Sequence, residues 1–506
     1  MNDKVEILRL ATGVPGLDPV LGGGLPEFSF NLIAGPPGSG KTTLAHQMMF
    51  ALATPERPAL YFTVLGEPPL KMLRYQQQFD FYDSAALGER VHFVNLSDDA
   101  LHGDADRLLG RIADEVTAHG PALVFVDSFR SVVLLREAGN AAHNALQLFL
   151  QQLGLLMTTW QATTFLIGEY ADDDGASPVF TVADGLLRLH QSVQRNSAVR
   201  KLEVRKMRGQ PALPGLHTFR IGAAGIEVFA PAGATPAAAL EHTAPPANAD
   251  SPGQPPHVDS PVPAVLARAQ MGVPGLDDML GGGLPRGYSM LVAGPSGSGK
   301  SVLASAFLAE GARNDEVGIL VAFEQRPNRA RQPVVAELIA QGRVVMLETP
   351  AADLSVDEIV SLLLAEIQHR GATRVVIDSL SGFELALAPT FREDFRESLL
   401  RLVTALASAG VTVLMTSELE DRYTDLRFSP YGAAFLTDAI IVQRYIELDS
   451  LLRRVMAVVK VRASAHSDTL CEYHIDADGI RIGQPLPGYE GLLGGRPTRK
   501  PGAAAS

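Results

Sequence analysis

The chain is poor in cysteine and lacks both long apolar runs and basic runs. Its single cysteine, Cys471, excludes an intramolecular disulfide and a Cys-rich zinc site, so a reducing, cytoplasmic compartment is expected. No apolar stretch approaches the roughly 18 residues that a membrane span needs, and the N-terminal MNDKVEILRLATG lacks the apolar core of a secretory signal. The net charge is −13 without a Lys/Arg run, which favours a soluble particle over a membrane or nucleic-acid binder.

An internal duplication predicts two domains. The chain has 506 residues, which is too long for one hydrophobic core. Residues 13–26 read GVPGLDPVLGGGLP, and residues 272–285 read GVPGLDDMLGGGLP. The same spacing separates Lys41 from Lys300. Because there are only two copies, we expect two similar domains and not a solenoid.

The composition between the copies predicts the domain boundaries. Residues 230–263 contain nine prolines, with Ala, Ser and Asp among the rest, a composition that cannot bury a core and predicts a flexible linker. We therefore expect a first domain at 1–229, a linker at 230–263, a second domain at 264–490 and a disordered tail at 491–506.

Short apolar runs alternate with helical patterns in both halves. Runs of this kind are typical of strands buried on both faces of a parallel sheet, whereas LQLFLQQLGLLMTTW and FRESLLRLVTALASAG have helical periodicity. Each half is therefore predicted to be an α/β domain with a mainly parallel sheet. The predicted strands are FNLIAG, ALYFTV, ALVFVD and TTFLIG in the first half, and SMLVAG, GILVAF, RVVID and VTVLMTS in the second.

One phosphate-binding loop follows the first of the predicted strands in each half. GPPGSGKT and GPSGSGKS both match G-x-x-x-x-G-K-[ST] between a strand and a helical stretch. Glycines let the backbone N–H groups of such a loop surround a phosphate, and the lysine reaches the β/γ-phosphates. The residues expected to bind ATP are Gly35, Gly38, Ser39, Gly40, Lys41, Thr42 and Thr43 in the first half, and Gly294, Gly297, Ser298, Gly299, Lys300 and Ser301 in the second.

An acidic residue at a second strand end predicts a Mg²⁺ site in each half. Asp127 ends LVFVD and Asp378 ends RVVID, at the sheet edge where an open α/β sheet binds ligands. We expect Thr42 with Asp127, and Ser301 with Asp378, to hold the metal. The alternative for each aspartate is an N-cap of the following helix.

These motifs in combination resemble the KaiC family within the RecA-like ATPases. The resemblance is carried by TGVPGLDPVLGGGLP followed by GPPGSGKTT, by the second copy, and by VRKMRG. It covers roughly residues 10–230 and 265–485. It implies two tandem RecA-like P-loop domains, ATP bound at subunit interfaces, and a homo-oligomer that forms a double-ring hexamer.

The resemblance also implies two adjacent glutamates after the second strand, the first of which prepares the attacking water. The second half has Glu324 at the first position, followed by Gln325, and Glu324 is the expected base. The first half has Leu65 and Gly66 there. Its nearest acid, Glu67, either substitutes through a bulge at the strand end or is a surface charge, so hydrolysis in this half stays open.

A K-x-R element occurs in both halves, as Lys206 with Arg208 and Lys460 with Arg462. In the family this element reaches the nucleotide of the neighbouring subunit, where a cation stabilises the transition state and contributes about 10³–10⁵ in rate. The alternative is the solvated face of an edge strand, where such residues are common.

The expected function is a ring-forming regulatory ATPase whose partner protein is not identified by the sequence. One alternative is a Ser/Thr autokinase, because clock-type relatives phosphorylate adjacent Ser and Thr. Here Ala434 and Phe435 lack hydroxyls, and Thr437 is a different position. A DNA-binding repair factor is a further alternative, against which acidic stretches at 171–175 and 418–421 count. A division of labour, with assembly by the first domain and hydrolysis by the second, also stays open.

Overall fold

The computed structural model divides into two compact units, residues 1–249 and 250–506. None of the helices that it describes is both long and apolar enough to cross a bilayer. The described residues are 7–64, 69–101, 105–127, 140–169, 178–194, 197–231, 267–323, 333–348, 353–392, 394–419, 435–448, 450–486, 489–491 and 498–499.

The first unit alternates strands with helices. Its strands are β1 (Arg9–Leu10), β2 (Leu25–Pro26), β3 (Phe30–Ala34), β4 (Ala59–Thr63), β5 (Val91–Asn95), β6 (Leu123–Asp127), β7 (Thr163–Gly168), β8 (Gly185–Gln194), β9 (Ser197–Met207), β10 (Leu216–Gly222) and β11 (Gly225–Phe229). Its helices are α1 (Leu17–Leu21), α2 (Lys41–Leu52), α3 (Pro69–Gln76), α4 (Ser97–Leu101), α5 (Ala105–His119), α6 (Asn140–Thr159) and α7 (Pro178–Val182), with a 3₁₀ turn at Ser84–Ala86.

The second unit repeats this pattern. Its strands are β12 (Arg268–Ala269), β13 (Leu284–Pro285), β14 (Ser289–Gly294), β15 (Gly318–Ala322), β16 (Val344–Glu348), β17 (Arg374–Asp378), β18 (Thr412–Glu418), β19 (Ala439–Leu448), β20 (Leu451–Val461), β21 (Cys471–Asp476), β22 (Gly479–Pro485), β23 (Tyr489–Glu490) and β24 (Thr498–Arg499). Its helices are α8 (Pro274–Met279), α9 (Lys300–Arg313), α10 (Pro333–Ala340), α11 (Val356–Arg370), α12 (Leu380–Ala386), α13 (Pro389–Arg392) and α14 (Phe395–Ser408).

Within the described residues, each unit contains one nine-stranded sheet, and the two sheets have the same topology. The order is β11-β10-β9-β8-β3-β7-β6-β4-β5 in the first and β22-β21-β20-β19-β14-β18-β17-β15-β16 in the second. The strands from β8 to β5, and from β19 to β16, are parallel. The strands beyond β8 and β19 are antiparallel. The prediction of two tandem α/β domains is confirmed.

Burial on both faces explains the apolar strands. In β4, Tyr61 lies in one buried cluster with residues of α2, while Leu60 and Phe62 lie in another with residues of α5 and α6. Because successive side chains of a strand point to opposite faces, a strand covered by helices on both sides reads as one apolar run. All eight strands predicted from such runs are present.

The duplicated signature has a structural role at the start of each domain. The Asp18 carboxylate accepts hydrogen bonds from Thr12 N at 2.9 Å and Thr12 Oγ1 at 2.6 Å, and Asp277 accepts one from Met271 N at 2.6 Å. Gly24 has φ 117°, and a Cβ there would lie 2.5 Å from Leu10 O. Close backbone approach at a left-handed φ requires glycine.

Candidate nucleotide sites

The first P-loop connects β3 to α2 at the carboxyl edge of the parallel strands. Gly38 and Gly40 have φ 72° and 101°, a left-handed conformation that favours glycine. Nothing lies within 4 Å of a Cβ built at Gly38, whereas one at Gly40 would lie 2.8 Å from Ile221 Cδ1. The loop therefore has an open side and a side packed on the domain. Lys41 Nζ donates to Pro36 O at 2.9 Å, so the ammonium group lies over the loop.

The second P-loop, between β14 and α9, has the same form. Gly297 and Gly299 have φ 76° and 101°, and Lys300 Nζ donates to the carbonyl oxygens of Gly294 and Pro295, both at 2.8 Å. In both domains the helix begins at the lysine, so the free N–H groups of its first turn and its dipole favour an anion at the loop.

Asp127 lies beside the first P-loop. Its Oδ2 atom accepts hydrogen bonds from Thr42 Oγ1 and from Tyr61 OH, both at 2.8 Å. Burial raises the pKa of the Asp127 carboxyl, and the hydrogen bonds from Thr42 and Tyr61 and the charge of Lys41 oppose that rise. The structure thus brings together Thr42 and Asp127, the two predicted metal residues, and adds Tyr61.

The second domain provides the hydroxyl donor from a different strand. Asp378 Oδ1 accepts a hydrogen bond from Thr416 Oγ1 at 2.5 Å, and Thr416 lies on β18. The strand register places Ile167 of β7 at the position of Thr416, and Leu320 of β15 at the position of Tyr61. Each aspartate therefore receives a buried hydroxyl, from β4 in one domain and from β18 in the other.

Two glutamates near the P-loop lysines were not among the predicted site residues. Burial lowers the pKa of Lys41, and the carboxylates of Glu169 and Asp127 oppose this. Burial likewise lowers the pKa of Lys300, opposed by Glu418 and Asp378. Both glutamates lie at the carboxyl end of the strand next to the P-loop strand. A comparison of the two halves at that strand end could have identified them.

The side chains of the K-x-R elements point toward the amino ends of the parallel strands, opposite the ends that carry the P-loops. Lys206 pairs with Leu186, which is in register with Leu32 of β3, and its ammonium group donates to the carbonyl oxygens of Phe180 and Thr181, both at 3.3 Å. Arg208 donates to Asp184 Oδ1 at 3.0 Å. These partners precede β8, so both cations point toward the amino edge, away from the P-loop of their own domain.

The second K-x-R element makes matching contacts. Lys460 Nζ donates to Thr437 O at 2.6 Å, and Arg462 Nη1 donates to Asp438 Oδ1 at 3.4 Å. Thr437 itself is fully buried. Burial and the neighbouring arginine lower the pKa of Lys206 and of Lys460.

Several predicted features lie outside the described residues. The candidate bases Glu67 and Glu324 are among them, together with their neighbours Leu65, Gly66 and Gln325. So are Ala434, which precedes Phe435, and the acidic stretch at residues 171–175. Thr43 and Ser301 are described, each in the first turn of its helix.

The fold and the paired loops define a protein with two tandem RecA-like P-loop ATPase domains. The family profile described as "ATPase: KaiC" matches residues 10–233 and 269–486, which is most of the chain. The chain therefore belongs to the KaiC family and consists of two ATP-binding KaiC domains.

Curated relatives match along nearly the whole chain. The circadian clock oscillator protein KaiC of Rippkaea orientalis is 26% identical over 98% of this chain and 93% of its own length. Circadian clock oscillator protein KaiC 1 of Synechocystis sp. is 25% identical over 97% of this chain and 92% of its own. KaiC of Prochlorococcus marinus is 24% identical over 98% of this chain and 97% of its own.

Proposed function

We propose that the protein is a regulatory ATPase that binds Mg-ATP at both P-loops and hydrolyses it as a ring oligomer in the cytoplasm. The backbone N–H groups of each loop hold the phosphates, and Lys41 and Lys300 give up their loop carbonyls to contact the β/γ-phosphates. The hydrogen bond between Thr42 and Asp127 supports metal binding, because hydroxyl and carboxylate oxygens are ligands that Mg²⁺ prefers. A bound Mg²⁺ would neutralise charge on the β- and γ-phosphates.

The observation that carries the oligomer is the placement of the K-x-R elements. Lys206 and Arg208 are held toward the amino edge of the parallel strands, whereas a nucleotide would lie at the carboxyl edge. If these cations serve a nucleotide, it belongs to another copy of the domain. We propose that it belongs to the neighbouring subunit, in a hexamer as the family resemblance implies.

The proposed reaction divides its roles among few groups. Glu324 prepares the attacking water in the second domain, Glu67 is the candidate for this role in the first, and the K-x-R cations of the neighbour stabilise charge on the transferred phosphoryl group. Because hydrolysis changes what these cations contact, the nucleotide state alters the subunit interface. We propose that a partner protein responds to that change.

The two-site phosphorylation cycle of clock-type relatives is not part of the proposal. The relatives named above are circadian clock oscillator proteins, but Ala434 and Phe435 of this chain carry no hydroxyl. The Thr437 side chain is fully buried, which makes it a poor phosphoryl acceptor. Stoichiometric covalent phosphate within residues 430–440 after incubation with radiolabelled ATP would contradict this part.

Calorimetry with the full chain tests the proposed binding. With Mg-ATP we expect two binding sites per chain in the wild type, one in Lys41→Ala, one in Lys300→Ala, and none in the double variant. Native mass should rise when Mg-ATP is added to the wild type. Absence of binding heat in the wild type, or a monomer that persists with Mg-ATP, would overturn the proposal.

A further inference from the structure

Two side chains on the packed side of the second P-loop form hydrogen bonds to one of its residues. Ser298 Oγ donates a hydrogen bond to Gln443 Oε1 at 3.0 Å, and the Ser298 carbonyl accepts one from Tyr473 OH at 2.5 Å. Ser298 and Tyr473 are each only 1% exposed and Gln443 is fully buried, so water does not compete for these bonds. Strands β19 and β21 thus hold one loop residue through both its side chain and its backbone.

The first P-loop has neither contact. Leu189 of β8 occupies the strand position of Gln443, beside the first glycine of the loop, and Phe219 of β10 occupies that of Tyr473. Neither side chain forms hydrogen bonds. Ser39 Oγ is buried without a hydrogen-bond partner among the described residues.

The loops are otherwise alike. Ser39 N donates to Pro36 O, and Ser298 N donates to Pro295 O, both at 3.3 Å. The glycine that precedes the lysine has φ 101° in both loops. The contacts of Gln443 and Tyr473 are therefore the difference that acts on Ser298 and not on its counterpart Ser39. On the open side, a Cβ built at Gly297 would lie 3.0 Å from Tyr445 OH, whereas Gly38 has nothing within 4 Å.

We infer that Gln443 and Tyr473 hold the second P-loop in its phosphate-binding conformation before a nucleotide arrives, whereas the first P-loop is ordered by the nucleotide. A loop that is ordered in advance loses less conformational entropy on binding. The second domain is accordingly the tighter nucleotide site. This inference rests on the proposed binding of ATP at both loops.

Gln443 and Tyr473 are positioning residues. They act through Ser298 and lie on the packed side of the loop, behind its open side. Their removal changes the order of the loop in the absence of ligand, which is a readout that a defect in phosphate contacts would not produce.

Amide hydrogen exchange of the nucleotide-free full chain tests the inference within one molecule. The amides of residues 297–300 should exchange about three- to tenfold more slowly than those of residues 38–41, which corresponds to one net hydrogen bond. The double variant Gln443→Leu, Tyr473→Phe, which installs the residues of the first domain, should abolish this difference and leave residues 38–41 unchanged. Equal exchange in the wild type, or an unaltered difference in the variant, would overturn the inference.

Nucleotide affinity provides the second measurement. With Lys41→Ala present, so that only the second loop binds, Tyr473→Phe should weaken ATP binding about three- to tenfold. With Lys300→Ala present, Leu189→Gln together with Phe219→Tyr should tighten binding at the first loop. An unchanged affinity in Tyr473→Phe would count against the inference. A wild type that binds no ATP would overturn the proposed function, while hydrogen exchange would still decide whether the two loops differ.

Discussion

At the residue scale, the hydroxyl that each aspartate receives is the clearest difference between the two metal-site candidates. Tyr61 donates to Asp127 and Thr416 donates to Asp378. A hydrogen bond to a buried carboxylate fixes its orientation, and its loss leaves the carboxylate to reorient toward other donors. We therefore expect Tyr61 to position Asp127 for Mg²⁺.

Tyr61→Phe should raise the Mg²⁺ concentration needed for half-maximal ATP binding at the first loop about three- to tenfold. The measurement uses a fluorescent ATP analogue on the full chain with Lys300→Ala. Adding Ile167→Thr, which copies the hydroxyl position of the second domain, should restore the wild-type Mg²⁺ dependence. If Tyr61→Phe weakens binding equally with and without Mg²⁺, or Ile167→Thr gives no recovery, Tyr61 does not act through the metal site.

His46 gives the first domain a distinct dependence on pH. It is fully buried on α2 between the rings of Tyr61 and Phe93, with centroid distances of 4.7 and 5.9 Å. Burial lowers the pKa of His46 from 6.5 to about 3. As pH falls below 6.5, the unfolded chain takes up a proton that the folded chain does not, so the free energy of unfolding decreases.

The expected slope is about 1.4 kcal/mol per pH unit between pH 6.5 and about 3. Trp160 is the single tryptophan and packs against the first-domain core, so its fluorescence during denaturation reports this domain. His46→Leu should remove the contribution of His46 to the slope. A slope that is the same in the variant would show that other groups cause it.

At the scale of strands and helices, burial decides what the sequence predicts. The strands were predictable because both faces of each parallel strand are covered, which leaves an apolar run. The P-loops were predictable because the glycines and the lysine of each lie within one short segment of the chain. The hydroxyls of Tyr61 and Thr416, and the contacts of Gln443 and Tyr473, join strands far apart in the chain, so no local pattern identifies them.

The orientation of the K-x-R strands leads to a mixing experiment. Chains with Glu67→Gln and Glu324→Gln lack both candidate bases but keep the P-loop lysines that assembly needs, and chains with all four K-x-R cations replaced by Ala lack the cations that we propose reach a neighbour. Each should lose about 10³-fold or more of the ATPase rate alone. Mixed without nucleotide and then given Mg-ATP, they should regain activity, because P-loops of one chain meet cations of the other.

Arg205→Ala is the matched control for this experiment. Arg205 lies on β9 immediately before Lys206 and pairs with Glu203 at 2.9 Å. Because a partly exposed ion pair contributes little, this change should leave the rate near wild type. Recovery that fails in the mixture, although both variants oligomerise, would argue against cations supplied by a neighbour.

At the scale of the whole molecule, the two domains share a topology but differ around the nucleotide. The second domain has Glu324 at the position of the expected base, whereas the first has Leu65 there and Glu67 two residues later. Its P-loop also carries the contacts of Gln443 and Tyr473. These differences favour a division of labour in which the second domain turns over ATP and the first uses ATP for assembly.

Glu324→Gln should therefore remove most of the ATPase activity while leaving the native mass with Mg-ATP unchanged. Lys41→Ala should mainly reduce the oligomer, because the first loop then lacks the cation that contacts the phosphates. Phosphate release and native mass spectrometry are measured on the same preparations, with Glu67→Gln as the matched control. If Glu67→Gln removes most of the turnover, the assignment of labour is reversed.

The strand that supplies the hydroxyl to the aspartate is β4 in the first half and β18 in the second. This difference also limits recombination between the two halves of the gene. A crossover that combined the strand of Leu320 with the strand of Ile167 would leave the aspartate without the hydroxyl of either Tyr61 or Thr416. The reverse crossover would place both of these hydroxyls at one carboxylate. Only the first crossover leaves the buried carboxylate without a hydroxyl donor from a neighbouring strand, because a carboxylate can accept hydrogen bonds from two hydroxyls. In that direction, exchange of one strand alone removes the donor, so the two strands have to be exchanged together.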